Sequence, residues 1–151
     1  MRRVITQGRF RYWRLTRGLT IGAQGAVIDD NGRVLLVRHA DRPDWHFPGA
    51  GVKRRETIEG ALVRKLKEDL GILLVDKPEV FGIYANFQVL PSDHIVFFLV
   101  KNWQQPKVPA PSHAITEQAF FAKDTLPAEI NDSTRARVRE FLDGEPRSPT
   151  W

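Results

Sequence analysis

The sequence predicts an α/β fold: a mixed β-sheet with helices packed on its faces. Three observations carry this. Apolar stretches of strand length recur along the chain and are separated by turn signals. One segment near the middle has apolar residues every four positions and a capping residue at each end. A second amphipathic segment follows the last strand, so helices and strands alternate rather than segregate.

The elements follow in order. Residues 19–28 are small and apolar, as in a buried strand, and Asp29-Asp30-Asn31-Gly32 is a turn signal. "RVLLVR" (33–38) is a second strand, so the pair reads as a hairpin. Residues 39–44 read as a polar loop containing Pro43. Residues 45–52 are short and extended, broken by Pro48, Gly49 and Gly51. Thr57 is the expected N-cap of a helix over residues 58–70, with Glu59 in its first turn and Gly71 as its stop. Ile58, Leu62, Leu66 and Leu70 make the core stripe. Gly60 inside the helix costs roughly 1 kcal/mol relative to alanine.

Residues 79–90 and 93–103 read as strands turned at Pro91-Ser92. Phe81, Tyr84 and Phe87 in the first of them are assigned to core packing. Asp93-His94 reads as a turn acid beside a half-buried histidine. Residues 104–113, with Pro106, Pro109 and Pro111, are a loop, and residues 117–123 a strand. A second helix is expected over residues 133–142, capped by Asp132 or Ser133, and residues 143–151 as a loose tail. The organisation is therefore a basic segment (1–18) docked on the domain, the domain itself (19–142) and the tail.

Composition narrows the chemistry. The chain has 151 residues, enough for a sizeable core, and 42% of them are hydrophobic. No apolar run is long enough to span a bilayer, so no membrane partner is expected. Cysteine is absent, which excludes disulfides, thiol catalysis and cysteine-based zinc sites and agrees with a cytoplasmic setting. The net charge of +5 favours an anionic partner. Arg2, Arg3, Arg9, Arg11, Arg14 and Arg17, interleaved with Phe10, Tyr12 and Trp13, would suit single-stranded nucleic acid. Docking through the aromatics, with the arginines in water, is the favoured reading.

The chemistry concentrates in "WHFPGAGVKRRETIEGALVRKLKEDLGI" (45–72). Lys65, Glu68 and Asp69 lie three and four residues apart and share a helix face beside the leucine stripe. A partly shielded carboxylate there needs a cation or a basic side chain. Two adjacent carboxylates supply part of the oxygen shell of Mg²⁺, which could neutralise a diphosphate and activate water. Glu56 and Arg64 could pair and fix the loop before the helix. Arg38 and Lys53 flank the expected cleft and, with Lys65, are the candidates for substrate phosphate; solvation is the ordinary role of such side chains.

These residues carry a resemblance to the Nudix family, whose box reads G-x5-E-x7-R-E-U-x-E-E-x-G-U, with U a bulky aliphatic. With Glu56 aligned, Arg64, Leu66, Glu68, Gly71 and Ile72 match and Asp69 is a conservative match. "LLVRH", "W-x-F-P-G-x-G-V" and "EQAFF-x-x-D-x-LP" are similar to the family in order and spacing. The resemblance implies an α/β/α sandwich. It implies Mg²⁺- or Mn²⁺-dependent hydrolysis of a nucleoside diphosphate linked to another group, a nucleotide-like phosphorylated small molecule. It also implies metal ligation by Glu68, Asp69 and the Gly49 carbonyl, with Glu56 and Arg64 in support.

The sequence departs from the pattern at four places. Ala50 replaces the first glycine and would be strained at positive φ. Asp69 reaches less far than a glutamate. Lys65 stands where the box has the glutamate after the arginine, so two carboxylates and an ammonium replace three carboxylates and metal binding should weaken. Ala114 stands where many relatives carry a further acid, with Glu117 nearby. Two readings of Lys65 follow: it contacts a substrate phosphate, or it forms an internal salt bridge in the metal's place. The leading function is a Nudix-type hydrolase; the alternative is a module that binds a nucleotide, RNA or protein without cleaving it.

Overall fold

A computed structural model describes residues 12–151. Its strands are β1 (Thr20–Val27), β2 (Val34–His39), β3 (Arg42–His46), β4 (Gly49–Gly51), β5 (Leu73–Leu74), β6 (Glu79–Ala85), β7 (Asp93–Val100), β8 (Trp103–Gln104) and β9 (Glu117–Phe121). The helices are α1 (Ile58–Leu70) and α2 (Asp132–Asp143), with a 3₁₀ turn at Lys123–Thr125. One sheet has the order β4-β1-β7-β6 and the other β3-β2-β9, with β5 and β8 as a separate pair. The first sheet is mixed: β1 runs parallel to β7, while β1–β4 and β6–β7 are antiparallel.

Two cores form on opposite faces. Leu62, Leu66 and Leu70 of α1 pack with Leu35, Val37, Val96 and Phe98. Val138 of α2 joins Val34, Leu36, Phe47, Tyr84 and Phe97 in the other. Neighbouring residues of β2 and of β7 thus enter different cores, which is why "VLLV" and "IVFFLV" carry no polar alternation. The result is the expected α/β/α sandwich with a mixed sheet.

The expected hairpin over residues 19–38 is corrected. The turn exists, with the Asp29 carboxylate accepting from the Asn31 and Arg33 amides, but the strands share only the Ile28–Val34 bridge. They then part into separate sheets, because both edges of β1 are taken by β4 and β7 and both edges of β2 by β3 and β9. Of the polar loop assigned to residues 39–44, only residues 40–41 form a turn, because His39 ends β2 and residues 42–44 begin β3. Pro43 fits there because β3 is an edge strand, where a missing amide breaks no ladder.

Strand β6 is shorter than expected. Asn86 leaves the ladder, its amide donating to the Asp93 carbonyl and its side chain to the Asp93 carboxylate. Phe87 is consequently exposed rather than in the core, whereas Tyr84 is fully buried. The cap of α2 is Asn131, whose side-chain oxygen accepts from the Ser133 and Thr134 amides.

The tail is not loose. The Ala85 amide donates to the Pro149 carbonyl, the Trp151 amide donates to the Ala85 carbonyl, and the indole packs on Phe47, Tyr84 and Phe97. At the other end, Arg2, Arg3, Arg9, Phe10 and Arg11 lie outside the described residues. Residues 12–16 are helical, with Tyr12 and Leu15 exposed and the Arg17 guanidinium over the Trp13 ring. Among the described residues no helix is long and apolar enough to cross a membrane.

Candidate active site

Helix α1 organises the site, and its ends are fixed as its sequence demands. Thr57 Oγ1 accepts from the Gly60 amide at 3.0 Å. A β-carbon on Gly60 would lie 2.7 Å from that oxygen, so the glycine that costs helix propensity makes room for the cap. Gly71 ends the helix at φ 65°, its amide reaching the Lys67 carbonyl. The Gln105 side chain donates to the Leu70 carbonyl, and this bond brings the proline-rich loop alongside the helix end.

Before the helix, Arg64 grips Glu56 with two bonds, Nε to Oε1 at 2.6 Å and Nη2 to Oε2 at 3.1 Å. Glu56 also accepts from the Lys53 amide at 2.9 Å, which closes the loop over Arg54 and Arg55. The Arg64 guanidinium, then the Lys53 amide, hold the Glu56 carboxyl down at about 2. Arg55 takes φ 60°, the one non-glycine residue at positive φ among those described. Ala50 is therefore unstrained: it lies in β4 opposite Ala23. Gly49 is irreplaceable for a different reason, since a β-carbon there would stand 2.4 Å from the Ala23 carbonyl oxygen.

The acids then separate. Glu68 faces back toward Arg64 at 3.5 Å and is more than half exposed. Asp69 is mostly buried, and the Lys65 ammonium lies 2.7 Å from its Oδ2. That oxygen has no aligned hydrogen-bond donor, so the contact is a charge contact rather than a directed bond. Asp69 lines a cleft of about 420 Å³ with Trp45, Pro109, Pro111 and Glu117. The guanidinium of Arg38, a phosphate candidate, lies over the Trp45 ring, 3.4 Å from Glu117. Lys53 contributes its backbone amide to Glu56, and its side chain is exposed.

Two histidines complete the surroundings. His39 and His46 stack with ring centroids 4.6 Å apart. Burial, then the charge of Arg42, pushes His39 below the ordinary histidine value; Asp69 and Lys65 also act on it. Burial pushes His46 down to about 4, and its Nδ1 bonds the Asp44 carbonyl at 2.8 Å. His46 borders a groove with Gln24, Asn86, Asn131 and Trp151. That groove shares Gln24 and Asn86 with a larger cleft of about 640 Å³ lined by Gly49, Ala50, Gly51 and Val52. Cooperation of Gln24 with Trp151 depends on strand pairing and chain return, which no local pattern encodes.

The chain matches the NUDIX domain family over residues 18–141. It belongs to the NUDIX family. A MutT-like protein of Streptomyces ambofaciens is 26% identical over 125 residues, covering 83% of this chain and 78% of that one. An ADP-ribose pyrophosphatase of Methanocaldococcus jannaschii is 26% identical over 145 residues, covering 94% and 72%. The crystal structure of a MutT NUDIX hydrolase from Burkholderia pseudomallei superimposes with a TM-score of 0.67 at 25% identity, over 80% of this chain and 95% of that one.

NUDIX membership raises the question of a divalent cation. Glu68 and Asp69 are hard oxygen donors of the right kind, and the buried Asp69 Oδ2 lacks a hydrogen bond. Against this, no group of three or more acids and histidines among the described residues could hold a metal ion. The donors suit a cation once the Lys65 ammonium leaves Asp69. At about 4 Å and an effective dielectric near 20, a unit charge opposes another by about 4 kcal/mol.

Proposed function

We propose that this NUDIX domain binds a nucleoside diphosphate linked to another group and cleaves its pyrophosphate bond. The observation that carries this reading is the Glu56–Arg64 clamp, which fixes the loop between β4, whose Gly49 lines a cleft of about 640 Å³, and the helix whose Asp69 lines a second one of about 420 Å³. The named activities of relatives, among them ADP-ribose cleavage, support the substrate class. In this reading Glu68, Asp69 and the Gly49 carbonyl would hold a weakly bound Mg²⁺ or Mn²⁺, which would supply charge neutralisation of the diphosphate and a lowered pKa of the attacking water. Arg64 and Glu56 keep the loop and helix in register, and Arg38, Lys53 and Lys65 provide positive charge near the clefts. The reading includes a cytoplasmic setting, in keeping with a chain free of cysteine.

A second reading, binding without cleavage, is favoured by one observation: the Lys65–Asp69 pair. Turnover distinguishes the two. Purified protein incubated with ADP-ribose, a dinucleoside polyphosphate and nucleoside triphosphates in Mg²⁺ or Mn²⁺ is expected to release phosphate-containing products from at least one. Folded protein that binds ADP yet cleaves nothing on the panel establishes the second reading instead.

A further inference from the structure

We propose that Lys65 is a resident cation: its ammonium neutralises Asp69 in place of a divalent ion, and the cleft of about 420 Å³ that Asp69 lines therefore holds the phosphates of a nucleoside diphosphate with no metal added. The proposal rests on the nucleotide-binding part of the proposed function and adds the means of charge compensation.

The geometry supports it in three steps. Lys65 and Asp69 are one helical turn apart, and the ammonium stands 2.7 Å from a carboxylate oxygen that has no aligned hydrogen-bond donor. An ammonium carries three N–H donors, and the side facing Asp69 takes up one of them, which leaves two for phosphate oxygens. The Lys65 side chain retains a quarter of its exposure, so a ligand can reach it without unfolding the helix.

The charge balance points the same way. Glu56 and Glu68 share Arg64, and Asp69 has Lys65, so three carboxylates face two fixed cations. A glutamate at position 65 would leave four carboxylates facing one cation, and a diphosphate would be repelled until a metal arrived. Here most of the compensation is covalently attached. The stacked pair of His39 and His46 adds no charge at neutral pH, because burial keeps both below the ordinary histidine value. Lys65 is therefore the positive charge beside Asp69.

The test uses the whole chain, with ADP as the probe and calorimetry in EDTA or in Mg²⁺. The wild type is expected to bind ADP in EDTA within about threefold of its affinity in Mg²⁺. Lys65→Met, which keeps the stem and removes the charge, is expected to lose about tenfold or more in EDTA. Mn²⁺ titration followed by electron paramagnetic resonance is the second readout: wild type should leave the free-ion signal intact at concentrations where Lys65→Glu depletes it. The wild-type comparison needs no variant, and a thermal melt verifies the folding of the others. ADP binding that requires Mg²⁺, or a Lys65→Met protein that binds ADP in EDTA as wild type does, overturns the resident cation. Absence of ADP binding in both buffers overturns the nucleotide-cleft reading as well.

Discussion

At the scale of single residues, Glu56 reports whether the site is assembled. Its carboxyl sits near 2, well below its ordinary 4.5, because Arg64 and the Lys53 amide bind the ionised form. A depressed folded-state pKa contributes stability that is complete above the unfolded value and is lost as pH falls through the folded one. Glu56 therefore stabilises fully above about 4.5 and loses its contribution between there and about 2. Melting temperatures of wild type and Glu56→Gln, measured from pH 7 to pH 2, should differ at neutral pH and converge toward pH 2. Curves that stay parallel would show that Arg64 does not bind Glu56 in solution. This pair was legible in the sequence, because a carboxylate before a helix and an arginine two turns into it meet by local geometry. The pairing of Lys65 with Asp69 was legible for the same reason. The burial of His46 was not, since Asn131 and Trp151, which line a groove with it, arrive from distant parts of the chain.

At the scale of elements, α1 was read to its residue because every determinant is local: cap, stripe and stop lie within 15 positions. Gly71 adds a constraint that the sequence did not disclose. Beyond its φ of 65°, a β-carbon there would stand 2.5 Å from the Lys107 carbonyl oxygen, so the proline-rich loop closes directly on the helix end. Gly71→Ala should cost more than the 1 kcal/mol or so of left-handed strain alone, about 2 kcal/mol in urea unfolding at unchanged m value. It should also displace the loop from Asp69 and reduce ADP affinity. A cost below 1 kcal/mol would mean that the loop does not rest on Gly71. The strands were read less well than this helix. Turn chemistry at residues 29–32 was correct, yet a turn signal does not say whether the strands it joins share a sheet. That was decided by β4, β7, β3 and β9, which compete for the same edges.

At the scale of the whole molecule, residues 144–151 close the second core and one side of the groove that His46 borders. Arg137 and Glu140 are almost fully buried, 2.8 Å apart, and Glu140 also accepts from the Tyr84 hydroxyl at 2.7 Å and from the Ser148 amide at 2.9 Å. Arg137 donates onward to the Thr150 carbonyl and lies over the Tyr84 and Trp151 rings. One buried ion pair thus ties α2, β6 and the tail together. The indole it positions packs on Phe47, immediately before the Pro48-Gly49 turn. The sequence suggested a loose tail because "DGEPRSPTW" is polar and proline-rich; its anchoring is encoded 8 to 66 residues away, in Glu140 and Ala85. Removing one partner of a buried pair leaves the other charge uncompensated, at a cost of about 3–5 kcal/mol. Glu140→Ala should therefore unfold well before wild type in urea. Trp151→Ala leaves the ion pair in place and removes only the packing, so it should cost less, about 2 kcal/mol for a half-buried indole. If the tail also shapes the groove, Trp151→Ala should weaken ADP binding at temperatures where the protein is fully folded. ADP affinity unchanged in folded Trp151→Ala protein would confine the tail to a role in stability.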